Sequence, residues 1–252
     1  MARSGGTKDA RSAEEAFLAG YDPARYPRPS VAVDVALLSA FDGALYTLVA
    51  RRSDHPFKGR FALPGGFVAL KETLERSAER VLAREMGLRG VFLEQLYTFG
   101  APSRDPRTRV LSVAYFALVD RARLAPVESS RTQLARLAVP WEGETGGPVE
   151  LVGADDKQLS LAFDHAEILG MAVKRLRGRL DYTPIGFQLL PDAFTLLALQ
   201  RVHETVLGRP LNKDSFRRRM LASGLLEATG EIEKDVDHRP AELYRFVKRS
   251  AT

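Results

Sequence analysis

Residues 66–88 read GFVALKETLERSAERVLAREMGL, and the spacing inside that stretch decides how the larger part of the chain folds. Thr73 to Met86 is predicted helical, and Gly87 just past it suits a left-handed C-cap. Residues 81, 84 and 85 share one face of that helix, because i, i+3 and i+4 lie within one turn. Three carboxylates on such a face would bind hard, oxygen-seeking cations and hold them against a diphosphate. Here the face carries Val81, Arg84 and Glu85: an isopropyl group, a guanidinium and a single carboxylate. Two unit charges about 4 Å apart repel by about 4 kcal/mol at an intermediate dielectric, so Arg84 opposes any cation placed there. Glu75 and Glu79 project from the other side of the helix and cannot substitute.

With Gly66, Glu72, Arg80, Leu82, Gly87 and Leu88 in register, the stretch resembles the Nudix box, G-x5-E-x7-R-E-U-x-E-E-x-G-U with U aliphatic. The preceding Leu63-Pro64-Gly65-Gly66 resembles the same family. The acidic triplet departs from it, since Val81 and Arg84 stand where two box glutamates belong and only Glu85 remains. The resemblance implies a Nudix fold that has kept its pocket and lost its metal ligands. No catalytic residue and no metal ligand is assigned. Arg84 has two readings: a phosphate contact in the cation's place, or a partner for Glu85.

The loop Arg104-Asp105-Pro106-Arg107, followed by Val110-Leu111-Ser112-Val113-Ala114-Tyr115, resembles a segment of ADP-ribose-type Nudix proteins. The resemblance implies that Arg104 and Arg107 clamp a diphosphate while Asp105 accepts from a ribose hydroxyl. By residue type alone the loop reads rather as a polar hairpin held by an Asp105–Arg salt bridge, and it is the resemblance that reverses this. Arg51 and Arg52, at the end of a strand facing the Gly-Gly loop, are further phosphate candidates. The expected ligand-binding set is Arg51, Gly66, Arg84, Glu85, Arg104, Asp105 and Arg107. Leu161-Ala162-Phe163-Asp164-His165 also resembles these proteins; Asp164 is read as the N-cap of a following helix and His165 as a structural histidine.

Outward from the box, residues 1–12 are small and polar and are expected to be disordered, with a short helix over Ala13–Ala19. Val31, Val33 and Val35 alternate on one strand and Leu45, Leu48 and Ala50 mark the next, with Asp42-Gly43 between them as a two-residue hairpin. Strands are predicted at about Val91–Phe99 and Arg109–Val119, a loop or small insertion at residues 142–158, and a closing helix over His165–Arg179. The fold class is α+β, with a mixed sheet between helices in a Nudix-like ligand-sensing domain over residues 13–182.

Tyr182-Thr183-Pro184-Ile185-Gly186 is read as a linker to a second domain over residues 183–252. Helices at about Leu196–Leu207 and Lys213–Ser223 are joined by the turn Gly208-Arg209-Pro210-Leu211. Strands follow at Leu225–Thr229 and Glu242–Lys248, with an acidic loop over Gly230–His238 between them. Two helices, a tight turn and a hairpin outline a winged helix-turn-helix. Phe216 and Met220 form the buried stripe of the second helix, with Asn212 or Asp214 as its cap. The candidate DNA contacts are Lys213, Ser215, Arg217, Arg218 and Arg219 on that helix, with His238 and Arg239 on the wing. A basic helix by itself is ordinarily a solvated face; the whole arrangement is what points to DNA.

The chain has 252 residues, no cysteine, 45% hydrophobic and 27% charged residues, and a formal net charge of +5. Those values fit a soluble globular protein of one or two cores, without disulfides or thiolate metal sites. No apolar run approaches the length of a membrane span, and a cytoplasmic location is expected.

From about Phe17 to Val247 the chain resembles the NrtR-like Nudix-related transcriptional regulators of NAD metabolism. Tyr21-Asp22-Pro23, Arg28-Pro29-Ser30-Val31, the altered box, the Arg-Asp-Pro-Arg loop, Phe163-Asp164-His165, Phe216-Arg217-Arg218-Arg219, Gly224-Leu225-Leu226-Glu227, Arg239-Pro240-Ala241 and Leu243-Tyr244-Arg245-Phe246 carry it. The resemblance implies a homodimeric repressor on a palindromic operator in double-stranded DNA. Its Nudix domain would sense ADP-ribose or a related nucleotide as effector and require no cofactor. The competing reading is an active ADP-ribose-type hydrolase with an accessory C-terminal domain, resting on Glu72, Arg80 and Glu85.

Overall fold

The computed structural model describes residues 6–124, 132–234, 237 and 239–247. After helix α1 (Gly6–Gly20), strand β1 (Ser30–Phe41) turns at Asp42 and Gly43, with φ of 48° and 74°, into β2 (Ala44–Arg51). Positive φ at both turn residues is the geometry that Asp-Gly favours between right-twisted strands. Short strands β3 (Phe61–Ala62) and β4 (Gly65–Phe67) lead into α2 (Leu74–Met86). Thr73 Oγ1 caps α2 by accepting Arg76 N–H at 3.3 Å, and Gly87 closes it at φ 66°. Strands β5 (Phe92–Phe99), β6 (Val110–Leu118), β7 (Thr132–Ala138), β8 (Glu150–Val152) and β9 (Gln158–Leu159) complete the sheet before α3 (His165–Arg179).

The sheet runs β5-β6-β1-β2-β7-β8-β9, with β3 paired to β2 and β4 to β1. β1 and β6 are parallel while the remaining pairs are antiparallel, so the sheet is mixed. The strand period of two divides the core. Val33, Val35 and Leu37 face Ala78, Val81, Leu82 and Met86 of α2. Ala36, Leu38 and Ala40 face Ile168, Leu169, Ala172 and Val173 of α3. Asp34 interrupts the row on the α3 side, and that break positions the pocket.

The second domain contains α4 (Leu196–Leu207), α5 (Lys213–Ala222), β10 (Leu226–Ile232) and β11 (Glu242–Phe246). Phe194 extends its small sheet by exchanging backbone hydrogen bonds with Tyr244 at 2.9 and 2.8 Å. Phe187, Phe194, Leu199, Phe216 and Tyr244 form its core. Val202 and Val206 of α4 instead join the α3-side core, so the two domains share apolar packing.

Several expectations are corrected. Residues 6–12 belong to α1 rather than to a disordered tail; once a helix is nucleated over Ala13–Ala19, adding Lys8, Ala10 and Arg11 is cheap. Residues 1–5 lie outside the described residues. Residues 142–158 are not all loop, since β8 and the start of β9 fall there, and β7 was unforeseen. The linker is a buried 3-10 turn over Pro184–Leu189 whose Ile185 and Leu189 enter the α3-side core. β10 continues through Gly230 to Ile232 because Gly230 takes φ 78°, which lets the strand bend without breaking.

His203 on α4 is buried edge-on against Phe216, with ring centroids 5.0 Å apart. Burial, reinforced by Arg219 and opposed by Asp181, pushes its pKa down to about 4. The unfolded imidazole takes its proton near pH ~6.5, so between that value and about 4 the unfolded state binds more protons. Stability is therefore complete above the unfolded value and falls as pH drops through that window, by at most about 3 kcal/mol. Urea unfolding across pH 4–7 should show a shallower slope in His203→Leu; an unchanged slope would exclude His203 as its source.

Candidate ligand pocket and nucleic-acid interface

The box scaffold is a brace. Arg80 grips Glu72 through Nε–H to Oε1 and Nη2–H to Oε2, both 2.8 Å, and also donates to Phe67 O at 3.2 Å. Ser77 Oγ–H donates to the same carboxylate at 2.6 Å. The Arg80 contact first, then Ser77, holds the Glu72 carboxyl down at about 2. This ties the N-terminal end of α2 to the Gly-Gly strand. A β-carbon on Gly65 would fall 2.3 Å from Asp34 Oδ1, so only glycine allows this close approach.

The three box positions have separated in role. Val81 is 0% exposed and packs in the α2-side core, 3.7 Å from where a β-carbon of Gly66 would lie. Arg84 has a side chain 63% exposed and donates Nη2–H to Glu85 Oε1 at 2.9 Å. The pairing with Glu85, one of its two readings, is present. Glu85 Oε2 in turn accepts Gly65 N–H at 3.4 Å. A buried isopropyl group, an outward guanidinium and a carboxylate already shared do not fit the divalent cation of the Nudix box. Among the described residues, no three His, Asp or Glu side chains are grouped to hold a metal ion.

Beside the Gly-Gly strand lies a cavity of about 200 Å³ whose lining includes Asp34, Arg52, Gly66, Arg104, Arg107 and Phe163. Its floor is a charge network. Arg104 donates Nε–H and Nη2–H to the two oxygens of Asp164 at 2.8 and 2.7 Å, and Nη2 reaches Asp34 Oδ2 at 3.3 Å. Ser112 Oγ–H donates to Asp34 Oδ2 at 2.5 Å. His165 Nδ1 accepts Leu63 N–H at 2.9 Å, and its Nε2 lies 3.6 Å from Asp34 Oδ1. Burial keeps His165 neutral by lowering its pKa, against the pull of Asp34 and Asp164. At Arg104 burial is the largest single influence and opposes the charge, but the contacts with Asp164 and Asp34 together outweigh it.

The expected clamp is thus rearranged. The Arg104 side chain is 4% exposed and saturated by carboxylates, so it holds the floor together instead of reaching upward. Asp164 precedes α3 without capping it by its side chain, because Arg104 occupies its carboxylate. The Asp105–Arg107 ion pair forms, with Nε–H and Nη2–H donated at 3.0 and 2.7 Å. Gly66, Arg104, Asp105 and Arg107 converge on the cavity; Arg51, Arg84 and Glu85 are not in its lining. Arg51 faces away and donates to Gly59 O at 3.1 Å. Asp34 and Ser112 were not singled out from the sequence, although an acid inside the apolar run 31–38 was a legible signal. A wider cleft of about 1290 Å³ lies between the β1–β2 hairpin and α4, but it contains none of the box or loop residues.

On α5, Asn212 Oδ1 accepts Ser215 N–H at 3.0 Å, which makes Asn212 the cap rather than Asp214. Glu204 braces the turn before it by accepting Leu211 N–H at 2.8 Å and Gln200 Nε2–H at 2.9 Å. Only Phe216 of α5 is buried; Lys213, Ser215, Arg217 and Arg218 are exposed. Lys213, Arg217 and Arg239 line one groove. Arg219 is drawn out of that set, because it donates to Asp181 at 3.3 Å and lies over the Phe216 ring. His238 lies outside the described residues.

A family model described as the NrtR DNA-binding winged helix domain matches residues 186–246, and the NUDIX domain model matches residues 28–143. The "ADPR responsive transcriptional repressor NtrR" of Acinetobacter baylyi is 40% identical over 238 residues, covering 93% of this chain and 89% of that protein. The chain belongs to the NrtR family. The crystal structure of Shewanella oneidensis NrtR complexed with a 27mer DNA superposes with a TM-score of 0.72 at 34% identity, over 86% of this chain and 93% of that one. A MutT/nudix family protein from Enterococcus faecalis shares the fold, with a TM-score of 0.75 at 24% identity over 98% of this chain and 100% of that one. The NrtR match covers both domains together, in keeping with the core they share.

Proposed function

We propose that this chain is a DNA-binding transcriptional repressor of genes for NAD or related nucleotide metabolism, with a Nudix domain that senses ADP-ribose or a similar nucleotide without cleaving it. The observation that carries this reading is a dismantled metal face beneath a fully built pocket: Val81 is buried and Arg84 is paired, while the Asp34–Arg104–Asp164 floor is complete. The names of the NrtR relatives, one an ADPR responsive repressor and one complexed with DNA, support it.

In this reading residues 13–182 sense and residues 183–252 bind DNA. Lys213, Ser215, Arg217 and Arg218 face the operator, with Arg239 on the wing side and His238 as a further contact expected from the sequence. The active form is a cytoplasmic homodimer on a palindromic site, as two-fold operators require. It needs no resident cofactor. Among the described residues no helix is long and apolar enough to cross a membrane.

Helix α3 couples the two ends. It starts at His165 in the pocket, and near its far end Arg177 donates Nε–H to Val206 O of α4 at 2.8 Å. Asp181, just beyond it, holds Arg219 of α5. A ligand that prefers one position of α3 therefore favours one setting of the reading helix; only such differential affinity shifts the balance.

Binding of a labelled operator duplex should fall steeply as salt rises, because neutralised phosphates release their counterions. Salt-indifferent binding would point to a protein partner for the winged helix. The hydrolase alternative predicts AMP release from ADP-ribose with Mg²⁺ or Mn²⁺, abolished in Glu85→Gln; the sensor reading predicts no turnover.

A further inference from the structure

α5 carries two side chains that attraction to phosphate does not explain. Asp214 is an acid in the first turn of an otherwise basic helix, and Leu221 is a large apolar side chain left 45% exposed near its end. At about 100° per residue, Asp214, Arg218 and Leu221 fall within about 60° of one another, opposite the buried Phe216. They form the outermost ridge of the helix. Lys213 and Arg217 lie to one side of that ridge, in the groove with Arg239, and Arg219 lies to the other, drawn to Asp181. A helix seated in a major groove sets its outward ridge against the base edges and its flanks against the phosphate strands.

Folding does not occupy these side chains. Asn212 caps α5 in place of Asp214. Among the described residues neither the Asp214 carboxylate nor the Arg218 guanidinium has an ion-pair partner. Leu221 belongs to none of the three apolar clusters, although Phe216 and Met220 of the same helix join the winged-helix core. An ionised carboxylate only accepts hydrogen bonds, so it repels phosphate and needs a donor at a base edge. Cytosine N4 offers a donor with no acceptor beside it, whereas adenine sets the acceptor N7 next to its N6 donor. The match for Leu221 is the thymine C5-methyl, the apolar group of the major groove. Arg218, between them, has the fork for guanine O6 and N7.

We propose that Asp214 and Leu221 are specificity-determining residues of this DNA reader, Asp214 selecting a cytosine and Leu221 a thymine in each half-site. This rests on the DNA-binding reading of α5 and adds what the helix discriminates. From Asp214 to Leu221 the ridge spans about 10 Å of helix axis, so the two selected positions lie about three base pairs apart.

The test is selection of bound duplexes from a randomised library by the full chain, as wild type, Asp214→Ala, Asp214→Asn and Leu221→Ala, followed by anisotropy on the duplex that the wild type selects. Asp214→Ala should lose a cytosine preference at one position, and Asp214→Asn should exchange it for adenine, which Asn grips through N6 and N7. Leu221→Ala should lose a thymine preference at another position. Guanine in place of the cytosine should weaken the wild type about tenfold and Asp214→Ala much less. Deoxyuridine in place of the thymine removes only the methyl group; it should weaken the wild type several-fold and leave Leu221→Ala unchanged. The wild-type half of that comparison alters the DNA alone, so it decides the matter for Leu221 even where Leu221→Ala melts early. If all four proteins select the same bases and Asp214→Ala binds every duplex more tightly, Asp214 is only a like charge beside phosphate. The inference is then overturned and the DNA-binding reading stands. A change in one variant alone overturns the role of the other residue. If the wild type selects no sequence, the DNA-binding reading falls and the inference with it.

Discussion

Arg104→Ala should destabilise the chain by about 3–5 kcal/mol, the range expected when one partner of a buried ion pair is removed and the other charges stay behind. The guanidinium is almost fully buried and is the shared counter-ion of Asp34 and Asp164. Without it two carboxylates face each other around His165, which burial keeps neutral. Urea unfolding at neutral pH would measure the loss, and adding Asp164→Asn to Arg104→Ala should return part of it by removing one orphaned charge. Arg107→Ala is the contrast: its own side chain is nearly half exposed but its partner Asp105 is buried, so the truncation should cost about 1–3 kcal/mol, less than Arg104→Ala with its two orphaned carboxylates. Equal losses in the two variants would mean that the Asp34–Arg104–Asp164 network does not hold the pocket floor.

Arg217→Ala combined with Arg218→Ala should produce the largest loss of operator binding. Each exposed arginine that reads a base edge is worth about 1–3 kcal/mol, so the pair should lower affinity by roughly two orders of magnitude or more. The fold should be untouched, because both side chains are exposed while Phe216 anchors α5 and Asn212 caps it. ADP-ribose affinity should stay at the wild-type value. Anisotropy with a labelled duplex reads the first quantity and calorimetry the second. Loss of both activities together would mean that the variant misfolds and that the arginines' role is undetermined by it. Loss of neither would remove α5 as the reading helix.

The fold was legible wherever local chemistry determined it. Thr73 and Gly87 bounded α2, Asp42-Gly43 set the hairpin, and the apolar spacing from Ile168 to Leu176 gave α3 its limits. The winged helix was legible because Gly208 ends α4 and Asn212 starts α5 within one short turn. Strand β7, TQLARLA, was missed because its strand character comes from pairing with β2 rather than from β-branched residues or strict alternation. The linker was misread because Pro184 and Gly186 signal a turn, while the burial of Ile185 and Leu189 is set by the distant helices α3 and α4.

In the pocket, residue types were legible and side-chain commitments were not. Nothing local says that Arg104 is consumed by Asp164, 60 residues away, or that Arg52 rather than Arg51 points inward. The first follows from tertiary contacts. The second follows from the pairing register of β2, which a one-residue slip would have reversed.

The most direct test of the account is fluorescence anisotropy on a labelled duplex from the region upstream of the chain's own gene, at fixed salt, with and without ADP-ribose. The account predicts saturable, sequence-selective binding whose midpoint moves when ADP-ribose is added, and the direction of that shift gives the sign of the switch. Weak binding indifferent to both sequence and ligand would contradict it.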